Sequence, residues 1–333
     1  MGEERMKFAT IGTSGITEEF LQAVKSVRGA KLVATYSRDL EKAKALAKSY
    51  GAKKAYDDVD ELVADEEVEA VYIASPIALH AMQAIKMMMH GKHVLCEKSL
   101  ASNLAEAEAM FRAAEDNNVI LMEAMRPIHD PGYALIKKNL KKLGRIRKIY
   151  LNFSEYSRRY NAFKEGEITS VFAREMSGGA LMDVGVYCVE SLIGLFGMPE
   201  KITSAMIPLK TGVDGAGKII ATYPGAIAEM DYSKITTSDN CCTIEGEDAT
   251  LYYTYIRDID KIEVEYNDGR HEEFEREECE NNMVYEIKDF INMVKKGEDM
   301  EHYRAVSLNT MRMLDGVRMQ NNMRFPADQV KTK

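Results

Sequence analysis

The sequence predicts an α/β fold: a doubly wound parallel sheet of the Rossmann type, then an α+β domain with a large, mostly antiparallel open sheet. Three observations predict it. The first 125 residues alternate short apolar runs with segments of helical periodicity. A glycine turn, Gly12-Thr13-Ser14-Gly15, lies between the first apolar run and the first helix. From about Arg126 the texture changes to β-rich segments with hairpin turns. A chain of 333 residues also exceeds what one hydrophobic core usually serves. Two domains are therefore expected, 1–125 for dinucleotide binding and 126–333 for substrate binding and oligomerisation.

Taken in order, Phe8–Ile11 is a short buried strand, and Ile16, Phe20, Val24 and Val27 then recur at helical spacing. Lys31–Tyr36 is the next strand, and Leu40–Tyr50 a helix closed by Gly51. Val68–Ala74 is a near-continuous apolar run, as a parallel strand covered on both faces requires. Ser75-Pro76 stops it, and Leu79, Met82, Ile85 and Met89 mark one helix face. A strand at His93–Cys96, a helix over Leu104–Asn117 and a strand at Val119–Met122 complete the first domain. In the second, strands are expected at Ile146–Tyr156, Ile202–Ile207, Ile219–Tyr223, Ala226–Ser233, Cys241–Glu245, Thr250–Tyr255 and Ile262–Tyr266. Pro224-Gly225, Gly246 and Asn267-Asp268-Gly269 supply turns, and helices return at Met283–Lys296 and Tyr303–Asn321.

Between these strands lies a helix over Gly179–Phe196 that is apolar around most of its circumference, so it should be buried. Its one polar stripe is Asp183, Tyr187 and Glu190, which is either satisfied internally or turned toward a cleft. The residues alone favour internal satisfaction.

Composition bounds the function. Hydrophobic residues make up 46% and charged residues 29%, values of a water-soluble globular protein. The net charge of −9 argues against nucleic-acid and acidic-membrane partners. No apolar run approaches the ~20 residues of a membrane span. The N-terminal M-G-E-E-R-M-K lacks a secretory core, and Met6 breaks the myristoylation pattern that Gly2 would begin. Five cysteines without a C-x-x-C pair read as thiols in a reducing cytoplasm, with no zinc site expected.

The loop Gly12–Thr17 is an imperfect G-x-G-x-x-G, with Ser14 and Thr17 in place of the second and third glycines. Alone it is a weak signal. Its position, closing a strand and opening a helix, makes Gly12, Thr13, Ser14, Gly15 and Ile16 candidates to hold a pyrophosphate on the first helical amides. Cofactor preference should be set at the end of the second strand, where Ser37-Arg38-Asp39 follow Tyr36. A hydroxyl beside a guanidinium suits the 2′-phosphate of NADP, with NAD the alternative. The competing reading makes Ser37 or Asp39 a helix cap and Arg38 a solvated charge. The strand at His93 delivers Glu97-Lys98 to a carboxyl end, where ligands of such sheets bind, although an isolated lysine there is usually only solvated.

The chain resembles the Gfo/Idh/MocA family, the relatives of glucose–fructose oxidoreductase and inositol dehydrogenase. The matching segments are G-T-S-G-I-T at Gly12–Thr17, S-P-I-A-L-H at Ser75–His80 and G-K-H-V-L-C-E-K-S at Gly91–Ser99. Glu123-Ala124 and S-G-G-A-L-M-D-V-G-V-Y at Ser177–Tyr187 complete the set. Tyrosine at the position where inositol dehydrogenases carry histidine resembles the branch of dimeric dihydrodiol dehydrogenase. Two departures stand out. Ser99 replaces the proline of E-K-P, where a cis bond without proline costs ~2.5–4 kcal/mol, so a different loop is expected. Ile77 replaces a common asparagine.

The resemblance implies hydride transfer between nicotinamide C4 and a carbinol or carbonyl carbon of a sugar, polyol or related cyclic alcohol. Lys98, Asp183 and Tyr187 would be catalytic, with Tyr187 the acid/base and Lys98 favouring its phenolate. Ser75, Pro76, His80, Glu97 and Lys98 would join the glycine loop, Ser37 and Arg38 around the cofactor. His80 either contacts nicotinamide or caps the following helix, and Glu97 is expected to pair locally. Arg126, His129 and Tyr156 read as packing or surface residues. The expected partners are a small sugar-like molecule and further copies of the chain, as a homodimer or homotetramer joined on the open face of the second sheet. Two other functions fit the same fold: a non-catalytic NAD(P) sensor, and a redox-neutral glycosidase or epimerase.

Overall fold

The computed structural model describes residues 5–297 and 299–329, so Gly2 and its segment lie outside the described residues. The chain divides into two compact units. One runs to Met125 and takes back Glu280–Ala305; the other is Arg126–Cys279 with the chain from Val306 onward.

The first unit is built on a parallel sheet of strands β1 (Met6–Ile11), β2 (Ala30–Tyr36), β3 (Lys54–Tyr56), β4 (Ala70–Ile73), β5 (His93–Glu97) and β6 (Leu121–Ala124). Their order is β3-β2-β1-β4-β5-β6, the doubly wound arrangement that the alternation of strand and helix predicts. The short edge strand β3 is three residues of mixed character, too little pattern for the sequence to delimit it. The final strand, expected at Val119–Met122, begins two residues later because Asn118 and Val119 finish the turn from the preceding helix. Phe8, Phe20, Tyr72 and Phe290 form the aromatic centre, with Phe20 and Tyr72 stacked at 3.7 Å and Phe8 5.9 Å from Phe290. Phe290 belongs to the helix Met283–Lys296, whose Met283, Ile287, Phe290 and Ile291 are buried in this core. That helix lies in the stretch expected to belong to the second domain. It is recruited here because its amphipathic face covers the helix Gly15–Ser26 and the rim of the sheet.

The second unit holds an eight-stranded sheet: β7 (Ile146–Ser154), β8 (Lys201–Pro208), β9 (Asp214–Tyr223), β10 (Ala226–Ser233), β11 (Cys241–Gly246), β12 (Ala249–Thr254), β13 (Lys261–Tyr266) and β14 (His271–Glu275). The order is β14-β13-β12-β11-β7-β10-β9-β8. Among the described residues, only β7 and β10 of this sheet pair in parallel. β14, H-E-E-F-E, is too charged for its alternation to be read from the sequence. Gly225 and Gly269 turn their hairpins at positive φ, +81° and +89°.

The helical stretch Arg174–Phe196 packs on β7, β9 and β10 of this sheet. It is long and apolar enough to span a membrane, against the expectation of no such run, but 78% of its most apolar window is buried inside the protein. Burial as a core helix accounts for its composition. It is not α-helical throughout: it opens on the 3₁₀ turn Arg174–Met176, and Leu181–Gly185 then forms a π-helical turn before the α-helix Val186–Phe196, with the Val186 amide reaching back to the Leu181 carbonyl. Gly185 lets the Tyr232 ring lie against this turn, since a Cβ there would stand 3.0 Å from Tyr232 Cγ.

Candidate active site

In the first unit the expected residues gather at the carboxyl ends of β1, β2, β4 and β5. Gly12 leaves β1 with φ +115°, and a Cβ there would sit 2.7 Å from the Ala74 carbonyl oxygen, so only glycine fits. Thr13 follows half-buried; Ser14 and Gly15 are exposed, and Ile16 begins the buried side of the helix. The Ser14 carbonyl accepts the Thr17 and Glu18 amides at 2.9 and 3.2 Å, while its hydroxyl caps nothing. A Cβ on Gly15 would meet nothing within 4 Å. The helix therefore starts with its first-turn amides beside open space, an arrangement that fits the pyrophosphate of a dinucleotide. Thr17, at the third glycine position, is fully buried behind this loop.

At the end of β2 both readings of Ser37-Arg38-Asp39 find a part. Asp39 caps the helix Leu40–Tyr50, accepting the Glu41 and Lys42 amides at 3.1 and 3.3 Å. Ser37 Oγ accepts the Asp39 amide at 3.3 Å. Arg38 is exposed, and among the described residues it makes no ion pair. The carboxylate of this loop is thus committed to capping, and the guanidinium is what it offers to a ligand.

After β4, Ser75 Oγ donates to Gln83 Oε1 at 2.6 Å and Pro76 leads into a short 3₁₀ turn. His80 is 1% exposed, and its ring does not cap the following helix, of which it is the first residue. Its Nε2 lies 2.8 Å from the Ser75 carbonyl and its Nδ1 3.1 Å from that of Ser99. The ring thus braces the loops after β4 and β5 against each other. Burial pushes its pKa down, so it is neutral at physiological pH and donates through one nitrogen at a time. Glu97 is buried and accepts the Tyr72 hydroxyl at 2.6 Å, the local pairing expected of it. Lys98 is half-buried, and the Lys98–Ser99 peptide is cis although serine replaces the motif proline. Glu123 Oε1 accepts the Leu100 amide at 2.8 Å, fixing the chain just beyond.

In the second unit, Asp183 lies in the π-helical turn and Tyr187 one turn onward. Asp183 pairs with the Lys234 ammonium, so this member of the polar stripe is satisfied within the unit. Tyr187 is 6% exposed, its ring edge-on to Phe153 at 5.3 Å. Glu190 is fully buried. Asp214, 1% exposed, accepts the Leu181 amide on Oδ2 at 2.9 Å and so anchors the start of the turn. Its burial pushes the carboxyl up to about 7, against the pull of that hydrogen bond. Arg126 and His129 are buried, and Tyr156 lies on the surface with its hydroxyl on Asn161 Oδ1 at 2.7 Å.

Three supporting residues escaped the sequence reading: Tyr72, Asp214 and Lys234. The last two had a usable signal. The hairpin turn at Pro224-Gly225 sets a register with Ala216 opposite Ser233, which brings the flanking residues together.

The profile of an oxidoreductase family with an NAD-binding Rossmann fold, Gfo/Idh/MocA, matches residues 6–125, and that of the Gfo/Idh/MocA C-terminal domain matches residues 136–252. The chain is 40% identical over 326 residues to the scyllo-inositol 2-dehydrogenase (NADP(+)) IolU of Bacillus subtilis (strain 168), covering 97% of this chain and 99% of that protein. It is 33% identical to the trans-1,2-dihydrobenzene-1,2-diol dehydrogenase of Xenopus laevis over 66% of each chain. Among solved structures, the 3-ketoreductase KijD10 of Actinomadura kijaniata with NADP and TDP-benzene superposes with a TM-score of 0.86. That match covers 96% of this chain and 98% of the other at 23% identity, which is a likeness of fold. By both of its domain profiles and its full-length relatives, the chain belongs to the Gfo/Idh/MocA family and is an NAD(P)-dependent oxidoreductase.

Proposed function

We propose that the protein is an NADP-dependent dehydrogenase of a cyclic polyol, with an inositol the first candidate. The observation that carries this is the loop after β2, where Asp39 is taken up in capping and exposed Arg38 is the group left to meet a 2′-phosphate. The full-length relative that acts on scyllo-inositol with NADP(+) supports the same reading.

When bound, the nicotinamide supplies the site that accepts or gives up hydride. The chain's own groups handle the proton and the position of the substrate. Tyr187 takes the proton of the reacting hydroxyl in oxidation and returns it in reduction. A phenol is a weak base at neutral pH, and the ammonium that would favour its ionised form is the part the family resemblance gives to Lys98. Asp183, held by Lys234, accepts a neighbouring hydroxyl of the ring. His80 and Glu97 keep the loops around Lys98 in place.

The reading extends to a cytoplasmic homo-oligomer joined through the open face of the second sheet. Ile207, Ile220 and Ile227 are 55%, 39% and 50% exposed there, more apolar surface than a solvated face needs. Thermal-shift titration with NADPH and NADH, followed by a polyol screen read by nicotinamide absorbance, tests the function. Stabilisation by NADPH and turnover of a cyclic polyol are expected; preference for NADH, or inertness toward all polyols, contradicts it. Sedimentation of a monomer would remove the assembly.

A further inference from the structure

The hairpin of β9 and β10 ends beside the π-helical turn that carries Asp183. Lys234, the first residue beyond β10, is fixed there at three points. Its amide donates to the Gly215 carbonyl at 2.9 Å, next to Asp214, which anchors the turn through the Leu181 amide. Its carbonyl accepts the Ser157 amide at 2.9 Å, and the preceding Ser233 carbonyl accepts the Glu155 amide at 2.9 Å. Its side chain is 13% exposed and ends on Asp183 Oδ2. A solvated lysine–aspartate pair contributes little, because two mobile side chains must be ordered in water. This lysine is already ordered by its backbone and buried along its stem, so its ammonium is a fixed charge rather than a wandering one.

We propose that Lys234 is a positioning residue for the polyol reaction: it holds the Asp183 carboxylate in one rotamer, and it ties the segment after β7 to that carboxylate. The inference rests on the proposed dehydrogenase reading. An aspartate that accepts a ring hydroxyl binds the substrate before and during reaction alike, so loosening it raises KM more than it lowers kcat. The segment from Glu155 to Ser157 opens the irregular stretch leading to the helix Arg158–Lys164, and Lys234 sets its distance from Asp183. Lys234 thereby links the substrate-facing loop to the acidic group that selects the substrate.

The test is a kinetic cycle on the full chain with NADP as the hydride acceptor and a cyclic polyol such as scyllo-inositol as the donor. Lys234→Met should raise the polyol KM about tenfold or more with a smaller change in kcat, and leave NADPH affinity within about twofold. Lys234→Arg, which keeps a cation within reach of the carboxylate, should recover most of the loss. In an Asp183→Asn background Lys234→Met should add little, because the partner is already gone. If Lys234→Met does not fold, Lys234→Gln replaces it in the cycle. Unchanged polyol KM in an active enzyme, or equal effects in the two backgrounds, overturns the inference alone. A wild type that binds NADPH and oxidises no polyol overturns the dehydrogenase reading and this inference with it.

Discussion

Asp214 Oδ2 accepts the Leu181 amide at 2.9 Å, so a carboxylate on β9 holds the first residue of the turn that carries Asp183. Burial raises this carboxyl from the ordinary aspartate value of 3.8 to about 7. Between those two values the native state holds a proton that the unfolded chain has released. Stability from this group is therefore complete below about pH 4 and is lost as pH rises through 7. Asp214→Asn keeps an acceptor for Leu181 and removes the titration. Urea unfolding across this range should show a falling contribution in wild type, on the order of a few kcal/mol, that is missing from the variant. Parallel pH profiles for the two proteins would contradict the assignment.

Arg38 is the residue proposed to set cofactor choice. Arg38→Ala should weaken NADPH binding about ten- to a hundredfold, the loss of a charge-assisted pair with phosphate, and leave NADH nearly untouched. Titration of each cofactor by fluorescence gives both numbers. Equal losses for the two would mean that Arg38 does not read the 2′-phosphate.

Gly12 allows the chain to pass the Ala74 carbonyl. Gly12→Ala places a Cβ 2.7 Å from that oxygen in a backbone at φ +115°. A stability loss of roughly 1–3 kcal/mol is expected by urea denaturation, together with loss of the NADPH-induced thermal shift. An alanine variant with wild-type stability and binding would show that the loop relaxes freely.

Tyr72→Phe removes the 2.6 Å hydrogen bond to Glu97 and keeps the stacking on Phe20. Because the carboxylate is buried, the change should cost about 1–3 kcal/mol. Calorimetry decides it, and an unmoved melting temperature would assign Glu97 to its other contacts.

Much of the architecture was legible because its cause is local. Val68–Ala74 is apolar because a central parallel strand is covered twice, and the helix Met283–Lys296 was delimited to the residue by its periodicity. What was not legible depends on partners far along the chain. That helix joins the first unit because it finds the apolar face of Gly15–Ser26, a choice that periodicity does not encode. The π-helical turn at Leu181–Gly185, packed against Tyr232 on another element, widens the helix locally, so ideal helical spacing misplaces the angle between Asp183 and Tyr187. Of the site, the glycine loop and the Lys98 strand could be read from the chain itself. The brace from His80 to the Ser75 and Ser99 carbonyls, and the pairing of Asp183 with Lys234, required coordinates.

Lys98 and Tyr187 are the residues proposed to handle the proton in an NADP-linked oxidation. The most direct measurement is the rate of nicotinamide reduction with a cyclic polyol for wild type, Lys98→Met and Tyr187→Phe, beside the NADPH affinity of each. Both variants should lose about a hundredfold or more in kcat while still binding NADPH. Turnover at the wild-type rate in either variant would mean that the replaced side chain does not handle the proton.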